Sequence, residues 1–225
     1  MNLIYLNSLG TYMPVRQLSE HLYDIQLDFV RVFVIENIPE NTVTLVDTGL
    51  AETAETLVDC LKSQFGTVDR VILTHDGADH YGGLDAIIDA FDSELYVSPS
   101  ESTLVEQIDH DIDVEFEDGD ILPGGIEVIQ VTGHTNAPSA LLLPAEDALI
   151  SGDILDGADR RGLPQGYLLP PPAIFNKDHT AAERELDTLL DYNFDKVYVF
   201  HGSHVLNDAK LKLEKYIQFR EHFRH

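Results

Sequence analysis

Short runs of β-branched and apolar residues alternate with segments of helical spacing in the first half of the chain. Apolar runs of about four to eight residues bounded by Gly, Pro or Asn predict strands, and apolar residues repeated every three or four positions predict helices. This order is typical of a β-sheet covered by helices. The predicted elements are strands at 29–35 and 42–46 joined by a turn at 37–41, a helix at 51–64, a strand at 71–74, a helix at 84–90, a strand at 95–97 and a helix at 99–107.

From residue 113 the pattern changes to β-hairpins, and helices return only near the end of the chain. Thr180 and Glu183 stand at the spacing of a capping box, which predicts the start of a helix. The segment 154–174 is rich in Gly and Pro and predicts a long surface loop, of a length typical of lids and binding segments. Because strands followed by helices occur twice, we expect two similar α/β halves. The predicted elements are strands at 126–131, 140–143 and 148–151, a helix at 181–191, a strand at 196–200 and a helix at 207–219.

The balance of charge narrows the classes of partner. Acidic residues outnumber basic ones by 40 to 14, which gives a formal charge of −26, while the hydrophobic fraction is 44%. That hydrophobic fraction is typical of a folded protein, and 225 residues suit one domain, so we predict a single domain over 1–225. Repulsion at this charge opposes binding to nucleic acids and to anionic membranes. We therefore expect a small-molecule substrate, no nucleic acid and no membrane, with a homodimer left open.

The acidic residues are spread along the chain, which indicates a highly solvated surface. One hypothesis is a protein of a halophile, whose cytosol at very high salt screens charge repulsion over a few ångströms. The alternative is an acidic protein of an ordinary cytosol.

The single cysteine, Cys60, excludes an intrachain disulfide and a Cys-rich zinc module. Its place in an amphipathic helix predicts a small buried hydrophobe. The N-terminus lacks the pattern of a signal peptide, and no run of about 18 apolar residues is present to span a bilayer. We therefore expect a soluble, cytoplasmic protein.

The loop 74–83 holds the densest group of candidate metal ligands. His75, Asp76, Asp79 and His80 follow a predicted strand, and glycines allow tight turns around them. Imidazole nitrogen and carboxylate oxygen are the ligands that zinc, iron and manganese take when thiols are absent. Solvated turn residues are the alternative interpretation of the same loop.

Three more candidate ligands, His134, Asp153 and His201, stand at the ends of predicted strands, each beside a glycine. The ends of strands in α/β sheets form sites at one edge of the sheet. Their positions therefore favour a metal site over solvated turns.

At these positions the sequence resembles the metallo-β-lactamase-fold superfamily. The pattern of the family is Asp-Thr-Gly at a strand end, then His-x-His-x-Asp-His, Gly-His-Thr, Gly-Asp and a late His-Gly. The counterparts here stand in the same order at 47–49, 75–80, 133–135, 152–153 and 201–202. The resemblance implies an α/β fold, a four-layer αββα sandwich of two mixed β-sheets flanked by helices, with a metal site at one sheet edge and usually hydrolysis.

One position departs from the family's pattern, because Gly77 stands where the family has the second His. The resemblance implies a first metal held by His75 and His134 with Asp153 as a bridge. Three outcomes stay open: one metal at the second position only, a weaker first site completed by Asp76 or water, or a scaffold whose site has decayed. Zn²⁺ is the expected ion, one or two per chain, with Fe or Mn as alternatives. The resemblance also implies a second metal, which would be held by Asp79, His80, Asp153 and His201.

Other candidates have a simpler alternative each. Asp47 could orient a metal ligand as a hydrogen-bond acceptor, or form an ordinary turn. His204 could be a spare ligand or a proton shuttle, or a surface residue. Tyr81 and Tyr167 could donate a hydrogen bond to a developing oxyanion, or pack with a solvated hydroxyl.

Two arginines stand out in so acidic a chain. Arg160 and Arg161 could receive a carboxylate or phosphate of the substrate. The alternative is an exposed pair that balances the neighbouring Asp156 and Asp159.

Together the motifs predict a metallo-hydrolase. A bound metal lowers the pKa of its water toward neutrality and polarises the substrate oxygen, so that hydroxide attacks an ester, thioester or lactone carbonyl. Asp79, besides binding metal, would orient the nucleophilic water. The alternatives are a phosphoester hydrolase and a non-catalytic protein that binds a metal or a ligand.

Overall fold

The structure is a computed structural model of the chain, and it describes residues 2–6, 12–37 and 40–222. The chain folds as two compact units. The first contains the described residues up to Pro99 together with Thr103–Phe116, and the second contains Ser100–Ser102 and the described residues from Glu117 onward. Each unit is built on a mixed β-sheet, which confirms the predicted class of mixed sheets flanked by helices. The single domain over 1–225 stays a prediction.

The first unit has an eight-stranded sheet whose strands lie in sequence order. The first five strands are antiparallel neighbours, and the next three continue the sheet in parallel from the fifth. The strands are β1 (Asn2–Leu6), β2 (Tyr12–Gln17), β3 (Leu22–Leu27), β4 (Val30–Asn37), β5 (Thr42–Val46), β6 (Arg70–Ile72), β7 (Glu94–Val97) and β8 (Val114–Glu115).

The helices between these strands are α1 (Ala54–Gln64), α2 (Ala78–Tyr81), α3 (Leu84–Phe91) and α4 (Ser102–Gln107). Helix α1 buries Leu57, Cys60 and Leu61 on one stripe, as its periodicity predicts. Burial raises the pKa of the Cys60 thiol to about 12. The thiol is therefore protonated at neutral pH and packs as a small hydrophobe.

Several boundaries in the first unit differ from those predicted. The strand predicted at 29–35 begins at Val30, because Asp28 adopts a φ of +56° in the turn after β3. The helix predicted at 99–107 begins only at Ser102. Of the predicted turn 37–41, residues 38 and 39 lie outside the described residues. Strands β1 to β3 are additional to those predicted.

The second unit has a five-stranded sheet in the order β15-β12-β11-β10-β9. Neighbours are antiparallel except β12 and β15, which are parallel. A separate two-stranded sheet is formed by β13 and β14. The strands are β9 (Ile121–Leu122), β10 (Ile126–Gln130), β11 (Ser139–Leu143), β12 (Ala148–Ile150), β13 (Asp156–Gly157), β14 (Leu168–Leu169) and β15 (Lys196–Tyr198).

Two helices follow, α5 (His179–Arg184) and α6 (Ala209–His222). A 3-10 segment at Glu185–Asp191 continues α5. Apolar residues of this segment and of α6 pack with those of β10, β11 and β12 in one buried cluster. The capping box predicted for α5 is wrong, because the Asp178 side chain accepts the Ala181 N–H at 2.9 Å and the helix begins earlier.

The segment 154–174 is more ordered than a surface loop. It contains β13, β14 and a complete 3-10 turn at Ala158–Arg161, and Ile154, Leu155 and Leu168 belong to the buried cluster of the second unit. The prediction of a surface loop here is wrong over its first residues, because these apolar side chains stabilise the fold by burial.

Candidate functional site

Asp47 organises the candidate metal ligands of the first unit. It directly follows β5, adopts a φ of +59°, and is completely buried. Its carboxylate accepts hydrogen bonds of 2.7 Å from the Thr74 N–H, from the Thr74 hydroxyl and from Nδ1 of His80. Because β5 and β6 are parallel, Asp47 and Thr74 leave the sheet at the same edge.

These contacts determine which nitrogen of each histidine carries its proton. Nδ1 of His80 donates to Asp47. The Thr74 hydroxyl gives its only proton to Asp47, so its oxygen accepts from Nδ1 of His75 at 2.9 Å. In both rings Nε2 then keeps its lone pair, which is the form that binds a metal. One potential ligand atom of each of Asp47, His75 and His80 lies within 4.8 Å of the others.

The backbone of the Asp-Thr-Gly turn also fixes His80. The carbonyl oxygen of His80 accepts the Thr48 N–H at 2.6 Å, the Gly49 N–H at 3.0 Å and the Thr48 hydroxyl at 3.1 Å. Gly49 adopts a φ of +71°, and a Cβ there would lie 2.4 Å from Cδ1 of Leu27. The turn therefore requires its glycine.

The second unit brings His134, Asp153 and His201 together. They follow β10, β12 and β15, and all three are buried. Oδ2 of Asp153 lies 3.7 Å from Nε2 of His134 and 3.5 Å from Nε2 of His201. Ligand atoms bound to one tetrahedral zinc ion at about 2.0–2.1 Å stand roughly 3.3 Å apart. Each of the two measured separations is close to that value, so Oδ2 of Asp153 is placed to share a zinc-like ion with either histidine.

Asn176 orients His134. The amide nitrogen of Asn176 donates to the carbonyl oxygen of Pro171 at 3.1 Å, which leaves its oxygen to accept from Nδ1 of His134 at 3.0 Å. The carbonyl oxygen of His134 in turn accepts the Lys177 N–H at 2.9 Å. Nε2 of His134 thus keeps its lone pair on the side of Asp153.

A sequence profile described as the metallo-beta-lactamase superfamily matches residues 25–201. The chain belongs to this superfamily. Solved structures agree: a metallo-beta-lactamase from Pontibacter korlensis has a TM-score of 0.73 at 18% identity, covering 93% of this chain and 99% of that one. The DIM-1 metallo-beta-lactamase has a TM-score of 0.72 at 19% identity, covering 93% and 97%. These matches confirm the predicted metallo-β-lactamase-like fold.

Two curated relatives are similar to the chain at higher sequence identity. A hydroxyacylglutathione hydrolase of Shewanella baltica is 27% identical over 185 residues, which are 81% of this chain and 64% of that protein. The beta-lactamase-like protein 2 homolog of Caenorhabditis elegans is 28% identical over 186 residues, which are 78% and 57%. The chain therefore spans less than two thirds of the length of either relative. Among the described residues, no helix is both long and apolar enough to cross a membrane.

Gly77, which the sequence resemblance predicts to replace a metal-ligating histidine, caps the N-terminus of α2. Its φ of −68° and ψ of 124° suit any residue, so the backbone does not require glycine. A Cβ added to Gly77 would lie 2.7 Å from Nε2 of His75 and 3.2 Å from Oδ1 of Asp79. The side chains of His75 and Asp79 therefore fill the space that a side chain at 77 would enter. Asp76 is half-buried and is not part of the Asp47, His75 and His80 group.

The two arginines predicted to bind substrate have contacts within the protein. Nη1 of Arg160 donates to Oδ2 of Asp156 at 2.7 Å, and its guanidinium lies 5.4 Å from the centre of the Phe175 ring. Arg161 donates to the carbonyl oxygen of Pro170. The Arg160 contact agrees with the simpler alternative of a pair that balances Asp156. A role in substrate binding stays a prediction.

Asp156 is a buried carboxylate that the sequence did not single out as a site residue. Burial raises its pKa to about 6, with a further rise from the negative charge of Asp153. The positive charges of Arg160 and, when protonated, His201 act in the opposite direction. The second unit thus places two carboxylates in one desolvated region.

The remaining predicted residues have local partners. Nδ1 of His204 accepts the Val199 N–H at 3.1 Å, which fixes the ring. The Tyr81 hydroxyl donates to Oε1 of Gln107 at 2.6 Å. The side chain of Tyr167 is mostly exposed. The proton-shuttle and oxyanion roles of these residues stay predictions.

Glu101 is a functional candidate that the sequence did not reveal. It is buried, and its Oε1 accepts the Thr135 hydroxyl at 2.7 Å and the Ala137 N–H at 2.5 Å. These bonds hold the loop directly after His134.

Proposed function

We propose that this protein is a metal-dependent hydrolase that cleaves an ester, thioester or lactone bond. Hydrolase relatives and the superfamily pattern support this class. We propose Zn²⁺ as the metal and a small molecule as the substrate, in the cytoplasm. The proposed metal ligands are His75, Asp79, His80, His134, Asp153 and His201.

One observation carries the proposal. His75, His80 and His134 each donate Nδ1–H to an oxygen of the protein, so that each ring presents the lone pair of Nε2. Histidines that bind a catalytic metal are oriented in this way by carboxylates, carbonyls or similar acceptors. Solvated turn residues would have no reason to be buried with these acceptors.

A divalent metal, when bound, supplies an acidified water and a positive charge beside the substrate carbonyl. Besides binding the metal, Asp79 would orient that water, since it is half-buried at the start of α2 beside His80. Asp47 keeps His75 and His80 in the tautomers that bind metal. Asn176 does the same for His134.

Among the candidate bonds we favour a thioester. The relative with 27% identity is named a hydroxyacylglutathione hydrolase, which is a thioester hydrolase. The part of that protein that this chain does not cover is more than a third of its length, so we propose the bond type and not the identity of the thiol.

The test is metal content together with hydrolysis, in protein purified without a chelator. The substrates are a hydroxyacyl-glutathione thioester and p-nitrophenyl acetate. The variants are Asp79→Ala and, as the control, Asp85→Ala, which removes an exposed carboxylate of α3. We expect about one metal ion or more per chain in the wild type and the control. Asp79→Ala should lower kcat/KM by about 100-fold or more.

A second candidate is a non-catalytic metal-binding member of the superfamily, which the prediction that Gly77 replaces a metal-ligating histidine favours. Metal in the wild type with no turnover of either substrate would support this candidate. The absence of metal from both the wild type and Asp79→Ala would contradict both candidate functions.

A further inference from the structure

The second unit contains a cavity of about 550 Å³ between α6 and the segment around β14. Its size lies within the roughly 300–1,000 Å³ of typical small-molecule sites. None of the proposed metal ligands lines it. The lining residues are Ala158, Leu163, Pro164, Tyr167, Leu168, Leu169, Lys212, Lys215, Tyr216 and Phe219.

The walls of the cavity combine apolar surface with two cations. Leu163, Tyr167 and Phe219 are each half exposed or more, so apolar surface remains in contact with water here. Lys212 and Lys215 lie on one side of α6, three positions apart, where a helix places side chains on the same face. The cavity is therefore amphipathic, with positive charge on one wall.

The two lysines are unusual in a chain with so few cations. Only 14 Lys and Arg stand against 40 acidic residues, and several arginines, such as Arg16 and Arg220, form ion pairs with Asp. Nζ of Lys212 donates to the carbonyl oxygen of Asn207 at 2.9 Å. Within the described part of the chain, neither Lys212 nor Lys215 forms an ion pair with a carboxylate.

The Tyr216 side chain in the cavity wall carries no negative charge that would bind the two lysines. The Tyr216 hydroxyl donates to Oε1 of Glu183 at 3.3 Å. Burial, and then the charge of Glu183, raise the pKa of Tyr216 to about 12. Tyr216 therefore stays neutral at physiological pH, and the lysines remain the positive groups that a ligand meets.

We propose that this cavity binds a small amphipathic carboxylate, whose apolar body lies against Leu168 and Phe219 and whose carboxylate binds Lys212 and Lys215. A second copy of the chain is a poorer occupant, because it would bring another net charge of −26 to the same surface. An anionic membrane is disfavoured for the same reason. This binding site is separate from the proposed metal ligands and does not depend on the hydrolase activity.

The test is calorimetric titration with decanoate, at a salt concentration where the chain is folded by circular dichroism. Decanol and decyltrimethylammonium serve as neutral and cationic probes of the same apolar length. The double variant Lys212→Gln/Lys215→Gln removes both cations. Lys210→Gln is the matched control, since Lys210 lies on the same helix, contacts Asn193, and does not line the cavity.

We expect the wild type and Lys210→Gln to bind decanoate equally, and the double variant to bind it about tenfold more weakly, since charge-assisted bonds are lost. Decanol and decyltrimethylammonium should bind the wild type more weakly than decanoate does. The proposal would be overturned by no decanoate binding to the wild type, or by equal affinity in the double variant. A dimer in solution that Phe219→Glu dissociates would also overturn it, because a second copy would then occupy this surface.

Discussion

Asp47 connects two candidate metal ligands through one carboxylate. It receives three hydrogen bonds, two from Thr74 and one from His80, and Thr74 relays its effect to His75. A change at this side chain therefore alters both rings together. Its buried position leaves no water to replace a lost acceptor.

Asp47→Asn should weaken zinc binding by about 10–100-fold, the usual effect of losing a residue that orients a metal-bound histidine. An amide has one acceptor oxygen, so Thr74 and His80 cannot both be satisfied. Competition with a chromogenic chelator measures the affinity. Asp69→Asn is the control, because Asp69 accepts the Val43 N–H at 2.7 Å without contacting a histidine. Equal zinc affinity in the two variants would contradict the role of Asp47.

Asp156 predicts a pH dependence of stability. Its pKa rises from 3.8 in the unfolded chain to about 6 in the fold, so the folded state holds the proton more tightly. The free energy of unfolding should therefore decrease as pH rises from about 4 to 6, by at most ~3 kcal/mol. In chelator-treated Asp156→Asn this decrease should be smaller by that amount. Urea denaturation at several pH values measures it, and parallel pH profiles for wild type and variant would show the idea to be wrong.

At this scale the sequence revealed the candidate donors but not what orients them. The histidines and carboxylates stand in motifs beside glycines, which can be recognised locally. Asn176 lies 42 positions from His134, and Glu101 lies 34 positions from Thr135. Ordinary polar residues at such separations give no local pattern, because only the folded chain brings them to His134.

Strand ends position most of the site residues. In the first unit the parallel pair β5 and β6 brings Asp47 and Thr74 to one edge, and in the second unit β12 and β15 do the same for Asp153 and His201. The short apolar runs of these strands were predicted well because they are buried. The segment 154–174 was not, because its apolar residues lack a regular period and are recognisable as core only when they pack in the fold.

Gly133 lies in close backbone contact with α5 in the second unit, which a substitution can test. It has a φ of +129°, and a Cβ there would lie 2.1 Å from the backbone nitrogen of Ala182 in α5. Gly133→Ala should therefore lower the free energy of unfolding by more than ~3 kcal/mol, since backbone cannot move aside cheaply.

Gly162→Ala is the matched control, because Gly162 has a φ of +73° with nothing within 4 Å of its Cβ position. Only the strain of a left-handed alanine applies there, about 1–2 kcal/mol. Urea denaturation compares the two variants. Equal losses in the free energy of unfolding would show that the backbone at Ala182 moves aside at no energetic cost.

The charge of the whole molecule bears on where it is stable. With −26 in 225 residues, self-repulsion opposes the compact state at low ionic strength. We propose that the free energy of unfolding rises with KCl from dilute buffer to molar salt, as expected for a protein of a saline cytosol. Denaturation at a series of KCl concentrations measures this, and full stability in dilute buffer would contradict the saline hypothesis.

The labelling rate of the Cys60 thiol in α1 can report how often the first unit opens. Because Cys60 is fully buried and protonated, a thiol reagent reaches it only when the first unit opens, so the labelling rate counts openings of that unit. A metal ion bound to His75 and His80 would lower the labelling rate of Cys60, and a chelator would restore it. Equal labelling rates with zinc and with chelator would mean that metal binding does not change the rate at which the first unit opens. A single sulfur atom thus gives a kinetic measure of metal binding that needs no substrate.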